Sequence, residues 1–333
     1  MKIQLLLAMN DTDYMEHLSR VLMEKYVELL EISICSSMER LRETGSKRRF
    51  DIVLMDAEMA RDASFQNANL ALLLWDGVTP LSEQVRMLKV VNKYQRVSSI
   101  ISKVLEYYAE VSSRGSGFGR TRGVITVVWS PIGGCGKTTA ALAYAAKNAA
   151  DGKKTVYLNL ENFCSTPVYF PENGKSISTI LGRLDSNVEL LLQSIRQQDS
   201  GSGIYYFSKP ENYDDINALT ENEFALLTEN CAEGTDEVVV DLSSDWNGKI
   251  KKMLELADRI LLVMDTSNAS QPKWEQFKAQ NNIYQEICPK STLVMNRAGK
   301  MEHMQDMKTV VLPCVQSKDP VVVYKTLSVG YWK

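Results

Sequence analysis

The stretch Val124-Ile125-Thr126-Val127-Val128-Trp129-Ser130-Pro131-Ile132-Gly133-Gly134-Cys135-Gly136-Lys137-Thr138-Thr139 decides how the second half of this chain must be read. It opens with an apolar run of strand length, turns through three glycines, and leads into an Ala-rich segment of helical composition. Glycines let a backbone curl until several N–H groups converge, and a helix N-terminus adds partial positive charge at the same point. Strand, glycine-rich turn and Lys-Thr at a helix start together make a cradle for phosphate oxygens. In such a cradle Lys137 lies along the β- and γ-phosphates and the Thr138 hydroxyl reaches Mg²⁺.

Working outward, Thr155–Leu160, Ile204–Phe207, Glu237–Asp241, Arg259–Met264 and Ser291–Met295 read as further strands. Before the loop, Ile3–Ala8, Asp51–Met55 and Leu70–Trp75 do the same. Tyr14, Leu18, Val21 and Leu22 recur at helical spacing behind the capping candidates Asp11 to Asp13. Ile100, Ile101, Val104, Leu105 and Tyr108 share one face of a closing helix. Alternation of strand and helix in both halves predicts α/β architecture, with mostly parallel sheets covered by helices on both faces. Residues 111–123 are rich in Gly, Ser and Arg and read as a hinge, giving domains 1–110 and 124–333.

The 333 residues suffice for two domains, and 44% hydrophobic with 24% charged content excludes wholesale disorder. With 38 basic and 41 acidic side chains the net charge is −3. Residues 1–110 carry 14 basic and 16 acidic groups and residues 124–333 carry 21 and 25, so the basic excess is confined to the linker. That balance argues against nucleic acid or an anionic membrane as a partner of the whole surface. Six dispersed cysteines with no CxxC pair read as reduced thiols of a cytoplasmic protein, and Cys135 as a small space-filler. His17 and His303 stand alone, without metal-ligand spacing. No apolar run approaches bilayer length, and the apolar start is better read as a buried strand than as a signal peptide.

The general motif G-x-x-x-x-G-K-[ST] is not met, because Pro131 stands where its first glycine belongs. The loop Gly133-Gly134-Cys135-Gly136-Lys137-Thr138-Thr139 instead resembles the deviant Walker A loop of the ParA/MinD ATPases. In that family a second lysine precedes the glycine pair and reaches a dimer partner's nucleotide; here the position is Ile132. The resemblance implies ATP and Mg²⁺ as cofactors, with binding kept and turnover weakened, since an aliphatic side chain neutralises no charge on a transferring phosphoryl group. It further implies catalytic roles for Lys137, Glu161 and Asp241. Glu161 stands at the second acid of the family's Asp-x-Asp pair and the neutral Asn159 at the first. A Walker B aspartate ends an apolar strand, and Asp56, Asp241 and Asp265 all qualify; Asp241, with Thr138 as fellow metal ligand, is preferred on chain order. Val294-Met295-Asn296-Arg297 resembles the family's strand end whose asparagine reads adenine, with Pro313 in the loop bordering the base.

Residues 1–110 resemble the receiver domain of response regulators. Phe50–Asp56 matches its third strand, with Asp56 at the phospho-acceptor position, and Val90–Tyr94 its fifth, with Lys93 in place. The acidic pair that holds Mg²⁺ in receivers is replaced by Met9-Asn10, with Asp11 one position late, and the fourth helix is compressed into Leu81–Val90. These departures imply a degenerate interaction module rather than a phosphorylated switch.

A receiver-like domain ahead of a ParA/MinD-type domain is similar to the TadZ/CpaE proteins of Flp (tight-adherence) pilus systems. That resemblance implies a cytoplasmic protein that forms a homodimer around ATP and helps place a pilus machine, often at a cell pole. Partners would dock on the receiver-like domain and membrane contact would be indirect. Two alternatives stay open: an active ParA/MinD-type ATPase positioning DNA or division cargo, and a response regulator with ATP as second input.

Overall fold

The computed structural model describes residues 2–27, 29–61, 68–112, 122–172, 174–182, 184, 188–298 and 307–332. Residues 113–121 of the expected hinge, and His303, lie outside the described residues. The chain divides into two compact units, residues 1–118 with 185–194, and residues 119–184 with 195–333.

In the first unit, β1 (Ile3–Ala8), β2 (Leu30–Cys35), β3 (Phe50–Met55), β4 (Ala68–Trp75) and β5 (Lys89–Asn92) form a sheet in the order β2-β1-β3-β4-β5. Every pairing is parallel, with Leu5 opposite Ile32 on one side and Ile52 on the other. Alternate residues feed two cores. Leu5, Leu7, Ile52, Leu54 and Leu72 pack with Met15, Leu18 and Leu22 of helix Thr12–Lys25 and with Ile100, Ile101 and Val104 of helix Val97–Ser112. Leu6, Ala8, Val53, Met55 and Leu73 meet Leu41, Met59 and Val85 on the opposite face. Helices on both faces explain why β1, β3 and β4 are nearly continuous apolar runs. β2 lies at an edge and is only partly buried, with Glu31 and Ile34 exposed, so it lacks the continuous buried run of its neighbours. The helix expected over Leu81–Val90 is cut to Glu83–Arg86, because Val90 and Val91 are drawn into pairing with Leu73 and Leu74.

The second unit holds β6 (Val124–Trp129), β7 (Thr155–Leu160), β8 (Gln197–Gln198), β9 (Tyr205–Tyr206), β10 (Glu237–Leu242), β11 (Arg259–Asp265), β12 (Ser291–Asn296) and β13 (Lys308–Leu312). Their order is β13-β12-β11-β6-β10-β7-β9-β8, parallel except for the antiparallel β8–β9 pair. β8 and β13 extend the sheet beyond the strands expected from sequence. Helix Lys137–Ala150 follows β6 and is buried along most of its length through Ala140, Ala141, Leu142, Ala143 and Ala145. Its small side chains let it lie close against the sheet, and Gly152, at φ +82°, turns the chain out of it. At the far end of that helix, Glu237 is 1% exposed and accepts hydrogen bonds from Thr126, Tyr144, Asn148, Lys153 and Arg259. This anchors the helix and leaves its N-terminus at the opposite rim of the sheet. Because the strands run parallel, the C-terminal ends of β6, β7, β10, β11, β12 and β13 all reach that rim.

Candidate functional site

At this rim β6 ends and the glycine loop begins. Gly134 and Gly136 take φ values of +72° and +95°, which disfavour any residue with a Cβ. Gly136 is the N-cap of helix Lys137–Ala150 and supplies no side-chain cap. A Cβ on Gly136 would stand 2.1 Å from Asn296 Nδ2, whereas Gly133 and Gly134 face open space.

The loop's carbonyls are tied down from behind. Ser244 Oγ donates to Ile132 O at 3.1 Å, Arg297 Nη2 to Gly134 O at 2.6 Å and Asn296 Nδ2 to Cys135 O at 2.9 Å. Cys135 Sγ adds a contact to Ile132 O at 3.1 Å, and burial pushes this thiol up, away from reactive thiolate chemistry. Arg297, at φ +56°, also pairs with Asp265 Oδ2 at 3.1 Å. Ser267 and Ser270 donate to the other Asp265 oxygen, and despite opposing burial these contacts and Arg297 hold its carboxyl below the usual range. Asp265, the less favoured candidate for the metal-binding acid, supports the loop through Arg297. Among the described residues, the N–H groups of Gly133, Cys135 and Gly136 donate to no other residue's backbone.

Lys137 is 8% exposed and donates to Ser244 Oγ at 2.8 Å. Thr138 Oγ1 donates to Glu161 Oε2 at 3.3 Å. Asp241, next to last in β10, lies beside Val128 of β6 and Asn159 of β7 and is fully buried. Burial, and next the like charge of Glu161, push its carboxyl up, against the pull of Thr138, Tyr157 and Lys137. Tyr157 donates to Asp241 Oδ2 at 2.9 Å, while Asp241 Oδ1 is buried with no hydrogen-bond partner. A hydroxyl and a carboxylate oxygen held beside a glycine loop suit a hard divalent ion that takes its remaining ligands from phosphate and water. Among the described residues no cluster of three or more His, Cys, Asp or Glu offers an all-protein metal cage.

The structure brings Lys137, Thr138, Glu161, Asp241, Asn296 and Arg297 to one rim, with Thr139 in the first turn of the helix and Pro313 just past β13. Ile132, at the position of the family's second lysine, is 3% exposed, with its side chain turned into the protein. Asn296 and Arg297, expected at the base, each donate a hydrogen bond to the loop itself. Tyr157 escaped the sequence reading, since a tyrosine inside an apolar strand looks like core. Its one signal was period-2 alignment with Asn159 and Glu161 on a strand ending at the site.

In the first unit Asp56 caps the short helix Ala57–Ala60 by accepting from Met59 N, and its other oxygen accepts from Asn10 N at 2.7 Å. Lys93 pairs with Asp11 Oδ2 at 2.7 Å and lies 4.5 Å from the Tyr14 ring centroid. The Lys93 contact, then the Tyr14 amide, hold the Asp11 carboxyl low. Among the described residues no hydrogen bond or ion pair joins Asp56 to Lys93.

No protein-family model matches the chain, and no curated protein does. Among solved structures, a ParA family ATPase from Chlorobium tepidum is similar over 61% of this chain and 91% of its own, at 16% identity and a TM-score of 0.51. The cell division ATPase MinD of Pyrococcus furiosus aligns over 62% and 97%, at 13% identity and TM-score 0.48. A putative plasmid partition protein of Borrelia burgdorferi bound to AMPPNP does so over 62% and 97%, at 14% and 0.44. The first likeness shows a shared fold, and the other two, below a TM-score of 0.5, add nothing to it. The second unit therefore has the sheet fold seen in that ParA family ATPase. No helix among the described residues is long and apolar enough to cross a membrane.

Proposed function

We propose that the second unit binds ATP with Mg²⁺ and acts as a ParA/MinD-type positioning ATPase whose nucleotide state sets its dimerisation. One observation carries this reading: three loop N–H groups, on Gly133, Cys135 and Gly136, that donate to no other residue's backbone stand at a helix N-terminus beside Lys137. In this reading the loop N–H groups and Lys137 bind the phosphates, and Thr138 and Asp241 Oδ1 hold the metal. Glu161, hydrogen-bonded to Thr138, orients water, and Asn296, Arg297 and Pro313 border the base. The bound metal would draw charge off the phosphate oxygens. Without an outward lysine at Ile132, turnover is slow and the nucleotide state long-lived.

A narrower reading is favoured by the first unit. Its β2-β1-β3-β4-β5 order is that of receiver-type domains, and its Lys93 is engaged with Asp11. A degenerate receiver-like module ahead of such an ATPase fits a TadZ/CpaE-like factor for Flp pilus placement. It would be cytoplasmic, recruited to a pole or membrane through partners on the first unit, and independent of nucleic acid.

Sedimentation of the full chain at fixed protein concentration, with ATP·Mg²⁺, ADP·Mg²⁺ or neither, tests the switch. Dimer in ATP alone is expected, and Lys137→Ala should remain monomeric throughout. A monomer under all three conditions would refute it. Salt-sensitive DNA binding by the ATP form would move the assignment from the pilus reading to a nucleoid-based one.

A further inference from the structure

Tyr157 sits in mid-β7, two residues before Asn159, and is 1% exposed. Two hydrogen bonds meet at its hydroxyl, and a third on Asn159 fixes their direction. Glu161 N donates to Asn159 Oδ1 at 3.2 Å, so the amide oxygen faces the backbone and Asn159 Nδ2 faces Tyr157. Asn159 Nδ2 donates to the Tyr157 oxygen at 2.9 Å. The phenol has one hydrogen, and it points to Asp241 Oδ2 at 2.9 Å. Asp241 is held at that oxygen, and its other oxygen, Oδ1, is left buried and without a partner.

A core tyrosine needs only some acceptor. This one takes the carboxylate oxygen that leaves its twin bare, and a neighbouring amide dictates which way its hydrogen points. We propose that Tyr157 is a positioning residue that fixes the Asp241 carboxylate so that Oδ1 is presented to the divalent ion accompanying a bound nucleotide. The inference rests on the reading of this rim as an ATP·Mg²⁺ site. Groups that orient a metal ligand typically change metal affinity by one to two orders of magnitude when removed.

The test uses the full chain, ATP, and Mn²⁺ as a paramagnetic stand-in for Mg²⁺. ATP affinity is measured in chelator, and Mn²⁺ affinity of the protein–ATP complex by electron paramagnetic resonance. Tyr157→Phe should leave metal-free ATP binding within about twofold of wild type and weaken Mn²⁺ about tenfold. Unchanged Mn²⁺ affinity would overturn the proposal. Asn159→Asp provides a check that does not remove the buried ring. The new carboxylate has no N–H for the phenol and competes with Asp241 for its hydrogen, yet it adds negative charge near the ion. Positioning predicts weaker Mn²⁺ binding, whereas proximity of charge alone predicts tighter binding, which would also overturn the proposal. If the wild-type chain binds no ATP in chelator or with metal, the nucleotide reading itself fails and takes this inference with it. Weakened Mn²⁺ affinity in both variants, with metal-free ATP binding intact, is the result that a positioning role gives.

Discussion

Replacing Gly136 with alanine puts a methyl group where the structure leaves none. The new Cβ would stand 2.1 Å from Asn296 Nδ2, at a backbone φ of +95°. Two costs follow. An L-residue in the left-handed region carries roughly 1–2 kcal/mol of strain. Displacing the Asn296 amide also breaks its 2.9 Å bond to the Cys135 carbonyl, whose loss costs about 1–3 kcal/mol in a buried setting. Gly136→Ala should therefore destabilise the ligand-free second unit by about 2–5 kcal/mol. In an Asn296→Ala background the clash is gone and the bond already lost, so the same substitution should cost only the strain, about 1–2 kcal/mol. The cycle then shows a coupling of about 1–3 kcal/mol. Urea unfolding followed by tryptophan fluorescence suits this measurement, because Trp129, Trp246, Trp274 and Trp332 all lie in the second unit and only Trp75 in the first. Equal costs in the two backgrounds would refute the claim that Gly136 is required by the closeness of Asn296.

Two further outcomes follow from burial. Asp241 is fully buried with its carboxyl pushed up, so the folded chain keeps a proton that the unfolded chain releases, and ligand-free stability falls as pH rises from the ordinary carboxylate range through the raised value. Asp241→Asn removes this titration. Its stability advantage over wild type in metal-free buffer should be near zero at about pH 4 and grow toward about pH 8, by roughly 1.4 kcal/mol for each unit of the shift; a flat difference would contradict it. Ile132→Lys would place an ammonium at a site 3% exposed, so a stability loss of about 2 kcal/mol or more, read as a lowered urea midpoint, is expected in place of faster ATP hydrolysis. Raised turnover with unchanged stability would show that the side chain can face outward after all.

The strands that build both sheets were legible because burial on two faces writes itself as continuous apolar runs, as in Leu5–Ala8 or Val238–Val240. The glycine loop was legible because its chemistry is contiguous. Edge strands were not: β2 exposes Glu31 and Ile34, and β8 is two residues long. Contacts between distant segments were hidden too. Lys93 meets Asp11 across 82 residues, Asn296 meets Cys135 across 161, and Tyr157 meets Asp241 across 84. Residue type and spacing narrow such partners without choosing among them. For Ile132, motif position named the residue that replaces the family's lysine, but the burial of its side chain could be read only from the fold.

The loop's departure from the common pattern at Pro131 and Ile132 need not cost it the ability to hold an anion. A trans peptide points its carbonyl and the following N–H in opposite directions. Tying Ile132 O to Ser244, Gly134 O to Arg297 and Cys135 O to Asn296 therefore turns the N–H groups of Gly133, Cys135 and Gly136 away from the strands that do the tying. Those strands, β10 and β12, flank the loop from different sides of β11 and β6, so the brace depends on the parallel sheet that brings their ends together. Asn296 and Arg297 then matter before any base arrives: they shape the cradle. Their loss should weaken inorganic triphosphate, which has no base, along with ATP, whereas a purely base-reading pair would spare it.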